Sequence, residues 1–149
     1  MIKKIFIFIF LISLNSCGYS PIYSISKNVD FVIVETEFEG DRNVNNILKS
    51  KFKRYSLTKG EKFNIDVSSS YEKIATSKDS AGKITIHRLD LNVTIKVRSD
   101  SFYKQYNYNE SFSLKNSDDQ LEINSYESSI KKNMTNRVFD KFILDLINR

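Results

Sequence analysis

The chain has little of what most catalytic and metal sites are built from. Its 149 residues include one cysteine, one histidine, one proline and four glycines. A lone cysteine excludes an intramolecular disulfide. A lone histidine, His87, excludes a histidine-based metal cluster within the chain. Four scattered glycines form no glycine-rich phosphate loop. Long apolar runs are also missing. The longest, Ile5 to Leu14, is about ten residues, whereas a helix needs about 20 to cross the hydrocarbon of a bilayer. The adjacent acids Asp118 and Asp119 lie in a polar stretch and read as solvated. The expectation is a protein that is not an enzyme and needs no cofactor.

What is present begins at the N-terminus. Lys3 and Lys4 precede the short apolar run, and small residues follow it. A positive start, a short apolar stretch and a small-residue end describe a secretory signal. Its ending, Leu14-Asn15-Ser16-Cys17, resembles the bacterial lipobox, with Asn15 departing from the usual small residue. The Cys17 thiol is the nucleophile that accepts a thioether-linked diacylglycerol, which makes Cys17 the expected lipidation site. Buried methylenes contribute about 0.8 kcal/mol each, and two or more chains anchor stably. The alternative is an ordinary secretory signal, which leaves a lone thiol in an oxidising compartment. Gly18 stands where an aspartate would resemble an inner-membrane retention signal, so the outer membrane is expected. The organisation is read as a signal over 1–16, a lipidated tether over 17–28 and one domain over 29–149. Pro21 disfavours helix at Ser20 and fits the tether.

The precursor's formal charge is +5, and removing Lys3 and Lys4 leaves +3. Lys49, Lys51, Lys53, Arg54, Lys59 and Lys62 cluster near the end of the first helical segment. They share no single helical face and read as solvated surface. Lys78 and Lys83 flank a turn-rich segment, with Arg88 close by. These cations suit anionic headgroups or phosphates; a plain charged turn is the alternative. Export makes nucleic acid an improbable partner.

The domain's elements follow from periodicity. Val29 to Phe38 is a strand whose consecutive Phe31-Val32-Ile33-Val34 predicts burial on both faces and a central position. Asp41 can cap a helix carrying Val44, Ile47, Leu48, Phe52 and Tyr55 on one stripe. Phe63 to Glu72 alternates with period two, as do Leu89 to Val97. Ile84 and Ile86 have the opposite parity, which predicts a bulge near His87-Arg88. Tyr106, Tyr108, Phe112 and Leu114 mark a further strand, aromatic on one face. Asn116 to Asn124 reads as a polar loop. Asn124 or Ser125 then caps a helix of about 23 residues, roughly 35 Å, with Tyr126, Ile130, Met134, Val138, Phe142 and Leu146 at intervals of four. Phe139, Ile143 and Ile147 widen its stripe. The expected fold is α+β: a two-layer sandwich with two amphipathic helices on a four-stranded mixed sheet, in the order β-α-β-β-β-α.

The chain resembles the LptE family of lipopolysaccharide-assembly lipoproteins. The likeness is carried by Cys17-Gly18-Tyr19-Ser20-Pro21-Ile22-Tyr23 after the signal and by Asp41-Arg42 opening a helix that ends Leu48-Lys49-Ser50-Lys51-Phe52. The strand pair with its polar hairpin and a long closing helix containing Asn136-Arg137-Val138 complete it. The resemblance implies an outer-membrane lipoprotein that plugs an LptD-like barrel and helps deliver lipopolysaccharide to the outer leaflet. It also implies lipopolysaccharide contacts by basic residues at the hairpin tip, where Lys78, Lys83 and Arg88 stand. A second implied contact lies before the last helix, where Lys115 stands beside Asp118 and Asp119. The alternatives are an auxiliary lipoprotein of a periplasmic lipid ABC transporter, or an anchored enzyme or inhibitor.

Overall fold

A computed structural model describes residues 29–149. Cys17, the signal over 1–16 and the tether over 17–28 lie outside the described residues. The elements are strand β1 (Phe31–Gly40), helix α1 (Arg42–Phe52), a 3-10 turn (Lys53–Leu57), strands β2 (Glu61–Lys78), β3 (Ile84–Arg98) and β4 (Tyr103–Lys115), and helix α2 (Gln120–Ile147). The four strands form one sheet in the order β1-β2-β3-β4. The β1–β2 pair is parallel, and the other two are antiparallel. This is the expected mixed sheet, with both helices packed on one face.

Local chemistry explains each element. Gly40 adopts a φ of 99°, and a Cβ there would lie 1.8 Å from the Ser69 carbonyl oxygen, so only glycine fits the exit from β1. Asp41 follows as the N-cap of α1 and accepts from the Val44 N–H at 2.9 Å. Val44, Leu48 and Phe52 recur every four residues and are buried. In α2 the buried stripe runs Ile123, Ile130, Met134, Val138, Phe142 and Leu146. The rings of Phe52, Phe139, Phe142 and Tyr106 meet at centroid distances of 5.2 to 5.7 Å and lock the two helices to the sheet.

Three expectations are corrected. β1 is an edge strand, not a central one. Its register slips between Ile33 and Glu35, which leaves Val34 bulged and 59% exposed. Phe31 and Ile33 face the core before the slip, and Phe38 packs against it afterwards. The consecutive apolar run thus reflects a change of parity rather than burial on both faces. The bulge expected near His87-Arg88 is present: the β2–β3 register shifts directly after the Ala75–His87 pair, at Thr76, and again at Thr85. The last helix begins at Gln120, not after Asn124, and has 28 residues. Asp119 caps it by accepting from Leu121 and Glu122 N–H groups at 2.9 and 3.1 Å. Tyr126 and Ile147 fall off the buried stripe and are 53% and 41% exposed.

Two features position the candidate site. β1 stops opposite Ser69, whereas β2 and β3 continue to the Lys78–Ile84 pair. The hairpin therefore projects about 30 Å beyond β1 at the usual rise of a strand. The sheet face away from the helices carries polar side chains. Asn92 bonds Ser70 and Asn109, Thr94 bonds Asn107, and Arg98 bonds Asp66.

Candidate functional site

The projecting hairpin, the end of β4 and the start of α2 meet at one end of the molecule. The hairpin turn is organised by Asp79, whose Oδ1 accepts from the Ala81 and Lys83 N–H groups, both at 2.9 Å. The loop from β4 to α2 is stitched to the hairpin base. Asn116 donates its backbone N–H to the Thr85 carbonyl at 2.8 Å and its side-chain amide to the Ile84 carbonyl at 3.0 Å. Lys78, Lys83, Arg88 and Lys115 therefore share this end, although they come from three strands and their turns.

Their electrostatic situations differ. Lys83 is ion-paired with Asp118 across the two loops. The hydrogen bond between them raises the Lys83 pKa and lowers that of Asp118. Asp118 is therefore a partner of the hairpin rather than an isolated solvated acid, and Asp119 is a helix cap. Arg88 is bonded to Asp90 at 2.8 Å. Hydrogen bonds from the Ser111 hydroxyl and then from Arg88 hold the Asp90 carboxyl below its ordinary value. Lys78 and Lys115 are exposed and make no ion pair among the described residues. Lys115 lines an open groove of 440 Å³ together with Ser117, Glu122, Ile123 and Tyr126. The Tyr126 and Phe112 rings pack near-perpendicular with centroids 6.4 Å apart, so the groove has an aromatic side chain beside its cation. A lysine beside an exposed aromatic ring suits an amphiphile with an anionic head, and Glu122 shares the groove with it.

One cluster escaped sequence reasoning. Glu127 of α2 accepts from Lys73 at 2.7 Å and from the Tyr71 hydroxyl at 3.1 Å. Lys131 bonds Asp41 at 3.0 Å and lies 3.7 Å above the Tyr71 ring. These groups tie α1, β2 and α2 together at the hairpin's root. Burial opposes ionisation of Glu127, and the bonds from Lys73 and Tyr71 outweigh it, so its pKa falls below the ordinary value. Burial and the Glu127 charge push the Tyr71 hydroxyl upward. The sequence signal was Lys73, a cation on the inward parity of β2.

His87 is half-buried, and its Nδ1 has no hydrogen-bond partner among the described residues. No group of three or more His, Cys, Asp or Glu among the described residues is placed to hold a metal ion. No described helix is long and apolar enough to cross a membrane.

No protein-family profile and no curated protein matches the chain. Solved structures do. The rare lipoprotein B from Shewanella oneidensis superposes with a TM-score of 0.57 at 8% identity, over 76% of this chain and 97% of that one. The uncharacterized lipoprotein B from Nitrosomonas europaea gives 0.57 at 13% identity, over 80% and 86%. The chain is similar in fold to these two lipoproteins. At such identities the likeness is one of backbone architecture. Within that fold, the projecting hairpin and its basic end are features of this chain's own residues.

Proposed function

We propose that the protein is a lipid-anchored outer-membrane lipoprotein that plugs an LptD-like barrel and assists delivery of lipopolysaccharide to the outer leaflet. The observation that carries this reading is the pairing of a polar sheet face with a basic, aromatic-walled tip on one rigid wedge. Barrel lumens are polar, and a wall of Asn, Ser and Thr side chains suits contact with one. The lipobox ending at Cys17 and the similarity in fold to the two lipoproteins support the same reading. In this proposal the wedge has a binding role and carries out no reaction.

The tip supplies the lipopolysaccharide contacts. Lys78 and Lys115 are the leading contacts, since neither must release an acid first. Lys83 and Arg88 contribute only by exchanging Asp118 and Asp90 for a phosphate. The test is capture of the tagged full-length protein from membranes in mild detergent, followed by identification of what comes with it. The expected companion is a large outer-membrane barrel, with loss of surface lipopolysaccharide when the protein is depleted. Recovery with an ATP-driven lipid transporter instead would replace this reading by an auxiliary role in that system.

A further inference from the structure

The two edges of the sheet are built differently. β1 carries the exposed Glu35, Glu37 and Glu39 and a bulge at Val34. Charges and bulges keep an edge from pairing with another chain. β4, at the other edge, has no proline and no register shift against β3. Its free side follows from two bonds at its ends. The Ser99 N–H bonds the Phe102 carbonyl, and the Asn116 N–H bonds the Thr85 carbonyl, both at 2.8 Å. Both pairs fit the single β3–β4 register. Bonded pairs alternate along an antiparallel ladder, so the even-numbered residues turn their backbone to β3. The odd-numbered residues from Tyr103 to Lys115 turn theirs outward. No backbone group elsewhere among the described residues bonds them. Those between the two ends are Gln105, Asn107, Asn109, Ser111 and Ser113, all exposed and uncharged. Their side chains bond along the strand or back to β3. Gln105 donates to Asn107 at 3.1 Å, and Thr94 donates to the same oxygen at 3.0 Å. Asn109 donates to Asn92, and Ser111 to Asp90 at 2.7 Å.

Helix α2 forms a shelf along this edge. The Glu110 side chain is 11% exposed and accepts from Arg137 at 2.9 Å and Lys141 at 2.6 Å. The Tyr108 hydroxyl donates to Asp145 at 2.7 Å, and Tyr126 packs on Phe112. Leu144 follows Lys141 by one helical turn and shares its side of the helix. Tyr126 and Leu144 are 53% and 51% exposed. The shelf thus has an apolar group towards each end and two cations between them, and the two cations share one carboxylate. Lys104 and Lys115 add exposed cations at the ends of the strand. The acids along the shelf are Glu110, Asp145 and, beside Lys115, Glu122. Asp140 turns the other way, to Lys51 of α1 at 3.8 Å.

We propose that the β4 edge accepts an added strand from a second, different chain. Main-chain bonds to the outward residues supply affinity, and the shelf reads alternate side chains. The matching segment is extended, apolar opposite Tyr126 and Leu144, and acidic opposite Arg137 and Lys141. A second copy of this chain matches poorly. Antiparallel pairing of β4 with itself brings the Arg137 and Lys141 cations of both α2 helices to one seam, and like charges oppose that. The proposal rests on the barrel reading, which makes the barrel-forming partner the source of the strand. A closed barrel has no free edge, so the segment is an inward loop or a terminal arm of that partner and not a strand of its wall. The polar sheet face that suits the barrel wall includes Asn107 and Asn109 of this same strand, so the two contacts are continuous.

The test is hydrogen exchange on the full-length protein, alone in mild detergent and as the complex captured from membranes. Electron-transfer fragmentation resolves single amides. In the protein alone, even-numbered amides of β4 should exchange slowly and odd-numbered ones fast. In the complex, the odd-numbered amides from Gln105 to Ser113 should slow at least about tenfold. Asn109→Pro removes one outward donor and leaves the β3 ladder its bonds. It should cut the recovered complex about tenfold. Gln105→Glu with Asn107→Glu copies the guard of β1 and should also cut it. This pair carries the test if circular dichroism shows the proline variant unfolded. A barrel recovered with fast odd-numbered amides overturns the edge proposal and leaves the barrel reading standing. Odd-numbered amides protected by a different identified chain support the edge contact and remove the barrel. Protection in the protein alone, at twice its mass, assigns the edge to a second copy and overturns the proposal.

Discussion

Glu127 shows how much of this molecule depends on single charged side chains at element junctions. Its carboxylate is 20% exposed and receives bonds from Lys73 and Tyr71. Asp41 is in a similar position between the Val44 N–H and Lys131, and Glu110 between Arg137 and Lys141. In all three, burial opposes the charge and the bonds more than offset it, so the folded pKa lies below the ordinary value. A carboxylate lowered by folding stabilises the native state above its unfolded pKa. That contribution disappears as pH falls through the folded pKa. Acid unfolding should therefore begin below about pH 4.5, where unfolded glutamates take up protons. Glu127→Gln should cost about 1–2 kcal/mol at neutral pH and flatten the acid limb of stability. Urea titrations of both proteins at pH 7 and pH 3.5 measure this. An unchanged difference between them at the two pH values would show that Glu127 is not charged through its partners.

At the scale of elements, β1 is one edge of the sheet, and its chemistry suits that place. Glu35, Glu37 and Glu39 are exposed at every second position of an edge strand whose parallel partner is β2. Charges and a bulge on an edge oppose pairing with another chain. Replacing the three glutamates with valine should leave the monomer's fold in place but promote concentration-dependent association, read by light scattering and sedimentation. A variant that stays monomeric at high concentration would mean that the Val34 bulge alone guards the edge. α2 shows the converse case, an element longer than its apolar pattern. Of its first turn only Ile123 is buried, and the Asp119 cap holds that turn in place.

At the scale of the whole molecule, the two ends have different chemistry. One end carries the hairpin and the loop before α2, with Lys78 and Lys115 open to solvent. The other receives the chain from the expected anchor and exposes Leu57. A tether at one end and a basic tip at the other are what a plug oriented by the membrane requires. The proposed orientation begins at Cys17. Cys17→Ser should leave the signal uncleaved and the protein missing acyl chains. Fractionation with mass determination reads both, and a mature, acylated Cys17→Ser product would remove the anchor from this account.

The order of elements and the mixed sheet were legible from residues alone. Both rest on local rules: side-chain spacing along a strand or helix, and a cap before an apolar stripe. Even the aromatic face of β4 followed from alternation. What local spacing left open was which strand lies at the edge and which acid meets which base. Phe31 to Val34 reads the same whether a strand is central or bulged at an edge. Lys131 meets Asp41 across 90 residues, and Lys83 meets Asp118 across 35. Only the assembled fold brings such residues together, because strand order and register are set by the packing of both helices on one face and not by any segment's own pattern.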